Sequence, residues 1–309
     1  MEPIRTLAGM VETLKGEAPR RVAVAAGHDE HTIQAAARAA TEKIASVTLA
    51  GDGARIAGLC SKFGIDRKLF NIIDEKDEKA AGKIARDMVR NGEAQVLMKG
   101  LISSDAYMRL ILDKECGLLP KGNVLSHITV LEIPAYQASH GKLLFVSDVA
   151  VLPSPDLPAK VKMIEYCAAA ARSFGIEKPK VALLAASEKV SDKMPATLDA
   201  AVIAKMAERG QIKGALVDGP LAMDVAISPE ACAIKGLKSA VAGEADALIF
   251  PNIEAGNAFY KTATLLAGAK LAAVVAGAAA PCILTSRADT EESKFYSIAL
   301  GCRLAAARG

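Results

Sequence analysis

The chain contains no tryptophan, and aromatic residues are only 4% of its 309 positions, so its core must be built from aliphatic side chains. Histidines are few as well. His28, His31, His127 and His140 form no metal-ligand spacing. None of the six cysteines, Cys60, Cys116, Cys167, Cys232, Cys282 and Cys302, belongs to a CxxC pair. They read as reduced, mostly buried small hydrophobes, and no metal site is expected. The opening Met1-Glu2-Pro3-Ile4-Arg5 lacks a basic stretch followed by an apolar one, which predicts no secretion signal and a cytoplasmic protein. The apolar segment Leu271 to Leu284 is rich in Ala and Gly and interrupted by Pro281. It is too short for the roughly 20 residues that cross a bilayer, so it reads as a buried strand pair and no membrane is expected. No basic run is interleaved with aromatics, and a net charge of +3 is too small to imply nucleic acid. No GxGxxG follows the first strand, which removes the dinucleotide fingerprint. No GxxxxGK[ST] occurs, which argues against an ATP-using kinase, and no GxSxG or Cys/His motif supports covalent catalysis.

What is present is a globular composition. Hydrophobic residues are 51% and charged residues 24%, enough to bury a sizeable core across one large or two medium domains. Short β-branched runs such as Arg21 to Ala26, Ser46 to Ala50, Val96 to Met98 and Lys180 to Ala185 alternate with helical stretches such as His31 to Ile44, Glu78 to Arg90 and Leu157 to Phe174. This alternation predicts an α/β fold with a mostly parallel sheet covered on both faces. Two segments of strand character, 123–133 and 142–149, are joined by a short loop and predict a local antiparallel pair. With the prolines at 153, 155 and 158 they mark a domain change between about 134 and 158.

Ligands of open parallel sheets bind beyond the carboxyl ends of strands, and four such places carry chemistry-bearing residues. Lys99-Gly100 ends a strand, and Ser103-Ser104 then opens a helix, a pattern suited to an anion or to an ordinary N-cap. Asp218-Gly219-Pro220-Leu221, followed by Asp224, offers two carboxylates at a strand end, or a common turn. Asn252-Ile253-Glu254-Ala255-Gly256-Asn257 leads into a helix with Tyr260-Lys261. Here Gly256 permits close backbone approach to a ligand and Asn257 is a candidate cap. Ser286-Arg287-Ala288-Asp289 precedes an acidic helix start. There a guanidinium fork suits a phosphate, unless Thr290 merely caps the helix and Arg287 pairs with Glu291.

These four segments, in this order and spread over most of the chain, resemble the phosphate acetyl/butyryltransferase family. The Asn-x-Glu-Ala-Gly-Asn…Tyr-Lys segment is the most specific, and the Ser-Arg-Ala-Asp form resembles the butyryl branch. The resemblance implies two α/β domains with mostly parallel sheets and an interdomain cleft, similar to the isocitrate/isopropylmalate dehydrogenase fold. One domain would comprise residues 1–134 and 278–309 and the other residues 135–277. It implies transfer of a short acyl group, butyryl or acetyl, between coenzyme A and inorganic phosphate, with coenzyme A as substrate, no metal or cofactor, and a homodimer. The substrates and products would be acyl-CoA, coenzyme A, inorganic phosphate and acyl phosphate. Ser286, Arg287, Asp289 and Asp224 take catalytic roles in this reading. Lys99, Ser103, Ser104, Tyr260 and Lys261 hold phosphate, and Asp218, Asn252, Glu254, Gly256 and Asn257 contact substrate. Where the acetyl branch carries an Asp that helps deprotonate the thiol, this chain has Ser293, which leaves Asp289, Glu292 and Asp224 as candidates for the base. His127 is a candidate stand-in for an Arg of that branch. The rival readings are a dehydrogenase of the same fold acting on a hydroxy acid, and a non-catalytic acyl-CoA-binding protein.

Overall fold

A computed structural model describes residues 2–286 and 289–307. The chain divides into two compact units, a flanking unit of Leu7–Leu125 with the chain from Leu271 onward, and a central unit of Ser126–Lys270 with the residues up to Thr6. These borders, at 125/126 and 270/271, lie seven to nine residues before those expected from the sequence, 134/135 and 277/278.

The flanking unit begins with α1 (Leu7–Leu14), which has no counterpart in the sequence reading. It continues with β1 (Arg20–Ala25), α2 (Glu30–Thr41), β2 (Ala45–Gly51), α3 (Gly53–Phe63), a 3₁₀ turn (Arg67–Leu69), β3 (Phe70–Asp74), α4 (Glu78–Arg90), β4 (Val96–Lys99) and α5 (Ser104–Leu112). Aspartates start most of these helices. Asp29, Asp52 and Asp77 each accept a backbone N–H of the first turn, and Ser103 does the same for α5. The central unit runs through β5 (Ser126–Glu132), α6 (Pro134–His140), β6 (Leu144–Ser147), α7 (Leu157–Ser173), β7 (Lys180–Leu184), α8 (Pro195–Glu208), β8 (Leu216–Leu221), α9 (Met223–Ile227), α10 (Pro229–Ile234), β9 (Ala247–Ile249) and α11 (Ile253–Leu265). The chain then returns to the flanking unit with β10 (Lys270–Ala276), β11 (Cys282–Ile283) and α12 (Glu291–Ala306).

The flanking strands stand in the order β3-β2-β1-β4-β11-β10 and the central strands in the order β5-β6-β9-β7-β8. Pairing is parallel except for β10 with β11 and β5 with β6. Both exceptions agree with the sequence reading of a strand pair within 271–284 and an antiparallel pair around 123–149. The sequence pattern predicts a short loop for the connection in the second pair, whereas the structure forms α6 there. Pro134 at its first turn presets the helical φ, and Gly141 closes it in the left-handed region at φ 62°. A segment of seven residues is too short to display a helical period, which is why the pattern hid it.

Strand β4 in the flanking unit and strands β6 and β9 in the central unit are buried along their whole lengths, and each unit's core is aliphatic apart from a few rings. Phe145 meets Phe174 edge-on at 5.2 Å, and Tyr107 donates to the Leu97 carbonyl. Cys60, Cys167, Cys232, Cys282 and Cys302 are buried thiols, and burial pushes Cys167 and Cys302 up to about 12.

Helix α12 is locked to α2 by a buried cation. Lys294, 2% exposed, donates to Asp29 at 3.3 Å and to the Thr32 hydroxyl at 3.1 Å. Asp29→Ala removes the α2 cap and strands the ammonium, so urea unfolding should show a loss of about 3–5 kcal/mol. Lys294→Met, which leaves the cap bonded, should cost clearly less.

Candidate functional site

In the flanking unit, β4 lies between β1 and β11, so the carboxyl ends of these three strands share one edge. Lys99 is the last residue of β4 and is 2% exposed, with its ammonium donating to the Gly100 carbonyl at 3.3 Å. Gly100 is obligatory. A Cβ there would lie 2.3 Å from the Ala26 carbonyl oxygen, because Gly100 N–H donates to Ala25 and Leu101 N–H to Ala26. Ala26 itself takes a positive φ of 56°, which turns the chain off β1 beneath that contact. Ser103 caps α5 by accepting from Ala106 N–H at 3.2 Å, and the neighbouring Ser104 is exposed. The helix-cap reading and the anion-binding reading therefore rest on the same serine.

Beyond β11, Thr285 is 2% exposed, and its buried hydroxyl has no hydrogen-bond partner among the described residues. Ser286 is exposed. The Asp289 carboxylate accepts Ser286 N–H at 2.7 Å, and the Asp289 carbonyl meets His31 Nδ1 at 2.9 Å. Arg287 lies outside the described residues. Thr290 caps α12 by accepting from Ser293 N–H, and its hydroxyl donates to the Ser293 hydroxyl at 3.1 Å. Glu291 sits 3.7 Å from Arg38.

In the central unit the structure changes two local assignments. Strand β8 does not stop before Asp218 but runs through Asp218-Gly219-Pro220 to Leu221, and Asp218 accepts Gly219 N–H at 2.8 Å. A cavity of about 420 Å³ borders this stretch, lined by Asp218, Gly219, Pro220, Glu188, Lys205 and Lys238 among others. Asp224 is exposed and paired with Lys235 at 2.9 Å. The Lys235 ammonium holds the Asp224 carboxyl below its usual range, and the pair raises the ammonium in turn. That shift weakens Asp224 as an acceptor for a thiol proton.

The second change concerns α11, which already starts at Ile253, so the segment expected to lead into the helix forms its first turn. Asn252, not Asn257, is its cap and accepts Ala255 N–H at 2.9 Å. Gly256 does admit a close approach, but to the chain itself. A Cβ there would lie 2.0 Å from the Asp148 carbonyl oxygen. Asn257 donates its amide to the Val149 carbonyl at 3.0 Å. Glu254 is exposed in the first turn. One turn further on, Tyr260 is half-buried and Lys261 exposed, with the ammonium 5.9 Å from the ring centroid. Thus α11 is seated by Gly256 and Asn257 and presents Tyr260 and Lys261 a turn later.

The sequence reading missed the polar knot under that seat. Asp148 is 1% exposed. It accepts Ser126 Oγ at 3.0 Å, His127 N–H at 2.7 Å, Ala150 N–H at 2.7 Å and Val151 N–H at 2.8 Å. The Ser126 and Ser147 hydroxyls lie 2.8 Å apart. His127 is buried, with Nδ1 3.2 Å from the Thr129 hydroxyl. The signal was available, because Asp148 follows the apolar run Leu143 to Val146, but extending that strand to Val149 hid it. Among the described residues no group of His, Cys, Asp and Glu is arranged to hold a metal ion.

The sequence pattern of the family described as phosphate acetyl/butaryl transferase matches residues 6–88 and 79–302. A phosphate butyryltransferase of Clostridium acetobutylicum is 41% identical over 302 residues, spanning 98% of this chain and 99% of the relative. A phosphate acetyltransferase of Thermotoga maritima is 44% identical over 291 residues, spanning 94% and 97%. The crystal structure of a branched-chain phosphotransacylase from Enterococcus faecalis V583 superposes with a TM-score of 0.80 at 31% identity, covering 93% of this chain and 99% of that one.

An unpartnered buried hydroxyl costs about 1–3 kcal/mol, so Thr285→Val, which keeps the shape, should leave urea-unfolding stability unchanged or raise it. A clear loss of stability would show that the hydroxyl has a partner within the folded chain.

Proposed function

We propose that this chain, which belongs to the phosphate acetyl/butyryltransferase family, moves a short acyl group, butyryl or acetyl, between coenzyme A and inorganic phosphate. The observation that carries this reading is the near-complete match to relatives named for that transfer, with all four strand-end segments present.

The reaction runs by direct transfer in a ternary complex. In one direction a phosphate oxygen attacks the thioester carbonyl of acyl-CoA. A tetrahedral oxyanion forms, the C–S bond breaks, and coenzyme A leaves as thiolate beside the acyl phosphate. In reverse, the thiolate attacks the acyl phosphate carbonyl. On the flanking unit, Lys99, Ser103, Ser104, Ser286 and Arg287 supply donors for the developing negative charge. On the central unit, Tyr260 and Lys261 bind phosphate, while Asn252, Gly256 and Asn257 hold α11 in place and Asp218 and Glu254 contact substrate. Approximation of the two substrates can supply roughly 7–11 kcal/mol of the barrier. Cationic side chains do the charge stabilisation here, and the proposed reaction needs no metal or further cofactor. The working form is a cytoplasmic homodimer.

A thiol titrates above neutrality, so local positive charge raises its thiolate fraction. Asp289 accepts Ser286 N–H and Asp224 pairs with Lys235, so each carboxylate already holds one partner. Glu292, in the first turn of α12, is the third candidate for the base.

Arg287→Ala should lower phosphate-dependent thiol release from butyryl-CoA by about 10²–10³-fold while leaving the unfolding midpoint in place. Near wild-type turnover in that variant would remove Arg287 from the site. Comparing kcat/KM for acetyl-, propionyl- and butyryl-CoA fixes the acyl group. Of Asp224→Asn, Asp289→Asn and Glu292→Gln, the variant that alters the titrating limb of the pH–rate profile in the thiol-attack direction identifies the base.

A further inference from the structure

Asp148 is the deepest-buried carboxylate among the described residues, and no motif points to it. Burying a carboxylate is costly unless its lone pairs are filled. Here four donors fill them, and they fall into two pairs. Ser126 Oγ and His127 N–H come from the start of β5, while Ala150 N–H and Val151 N–H come from the turn after β6. The carboxylate therefore staples that turn to the neighbouring strand. The same turn is the seat of α11. The Asp148 carbonyl faces Gly256 with no room for a methyl group, Asn257 donates to the Val149 carbonyl, and Ile253 N–H donates to Pro153 at 2.9 Å. The polar ties between the first turns of α11 and the body of the central unit thus end on residues 148–153, and Phe250 packs against Phe259 beside them.

We infer that Asp148 is a positioning residue for the phosphate substrate. Its carboxylate fixes the 148–153 turn, and the turn sets the height and rotation of α11, which carries Tyr260 and Lys261 one turn beyond the contact. An error in the seat is passed along the rigid helix to the ammonium. Misplacing a binding group by about 1 Å is enough to cost up to about 10²-fold. The inference rests on the assignment of phosphate to Tyr260 and Lys261 made above.

The substitution Asp148→Asn puts an NH2 group against a pair of donors. Gly256→Ala forces α11 off the Asp148 carbonyl without touching the carboxylate, and decides the matter should the first variant fail to fold. Steady-state kinetics of the purified full chain, with phosphate and butyryl-CoA varied separately, should show the KM for phosphate raised by about tenfold or more, with that for butyryl-CoA within about twofold of wild type. A purely structural role would lower the amount of active protein and the unfolding midpoint, but it would not split the two KM values. Unchanged KM for phosphate, or equal rises in both KM values, overturns the inference. Lys261→Ala separates it from its premise. If that variant leaves the KM for phosphate unchanged, the placement of phosphate on α11 falls, and this inference with it. If it alone raises that KM while Asp148→Asn and Gly256→Ala do not, only the present inference falls.

Discussion

A parallel strand covered on both faces has nowhere along its length to put a polar side chain. Strands β4, β6 and β9 obey this almost completely, since they are buried from end to end and nearly all aliphatic. Chemistry is therefore pushed to the carboxyl ends, where the chain leaves the layer and frees its N–H groups. Lys99, Asp148, Asn252 and Thr285 all sit at or just past such an end. Because the strands cannot shift without opening the core, the side chains at their ends inherit that rigidity.

The second pattern concerns how charge is tolerated at these ends. Asp148 is carried by two backbone N–H groups of a turn, one of a strand and one hydroxyl, with no charged donor among them. Asp246, also buried, uses the opposite solution, accepting the Lys142 ammonium and Lys180 N–H. Lys294 buries a cation by sharing one carboxylate and one hydroxyl. The chemistry proposed for the substrates uses the same inventory, in which oriented neutral donors and a few cations meet an oxyanion. Carboxylates already satisfied in this way serve as supports, and the pairing of Asp224 with Lys235 shows how a motif aspartate can be spent on its own neighbourhood.

Much of the fold was legible because burial leaves a pattern. Apolar runs between helical stretches revealed the parallel layers, and the Ala- and Gly-rich segment ending at Leu284 revealed the β10–β11 pair. Misreadings arose where local chemistry outvoted period. Asn257 reads as a cap yet donates its amide to the Val149 carbonyl, and Asp218-Gly219-Pro220 reads as a turn yet continues a strand. In both cases the decisive contact comes from residues distant in sequence, such as the Val149 carbonyl that takes the Asn257 amide.

By itself, the sequence determined the class of core, the alternation of strand and helix, and the set of residues able to bind an anion, since each of these depends on side-chain type and spacing alone. Only the tertiary structure decided which polar groups remain for a ligand. Each hydrogen bond uses one donor hydrogen or one acceptor lone pair, and which of these Asn257, Asp289 and Ser103 still offer depends on the partners they meet in the folded chain. It also revealed Asp148, whose four donors lie on two different segments, so that no local window of sequence could contain the reason for its burial.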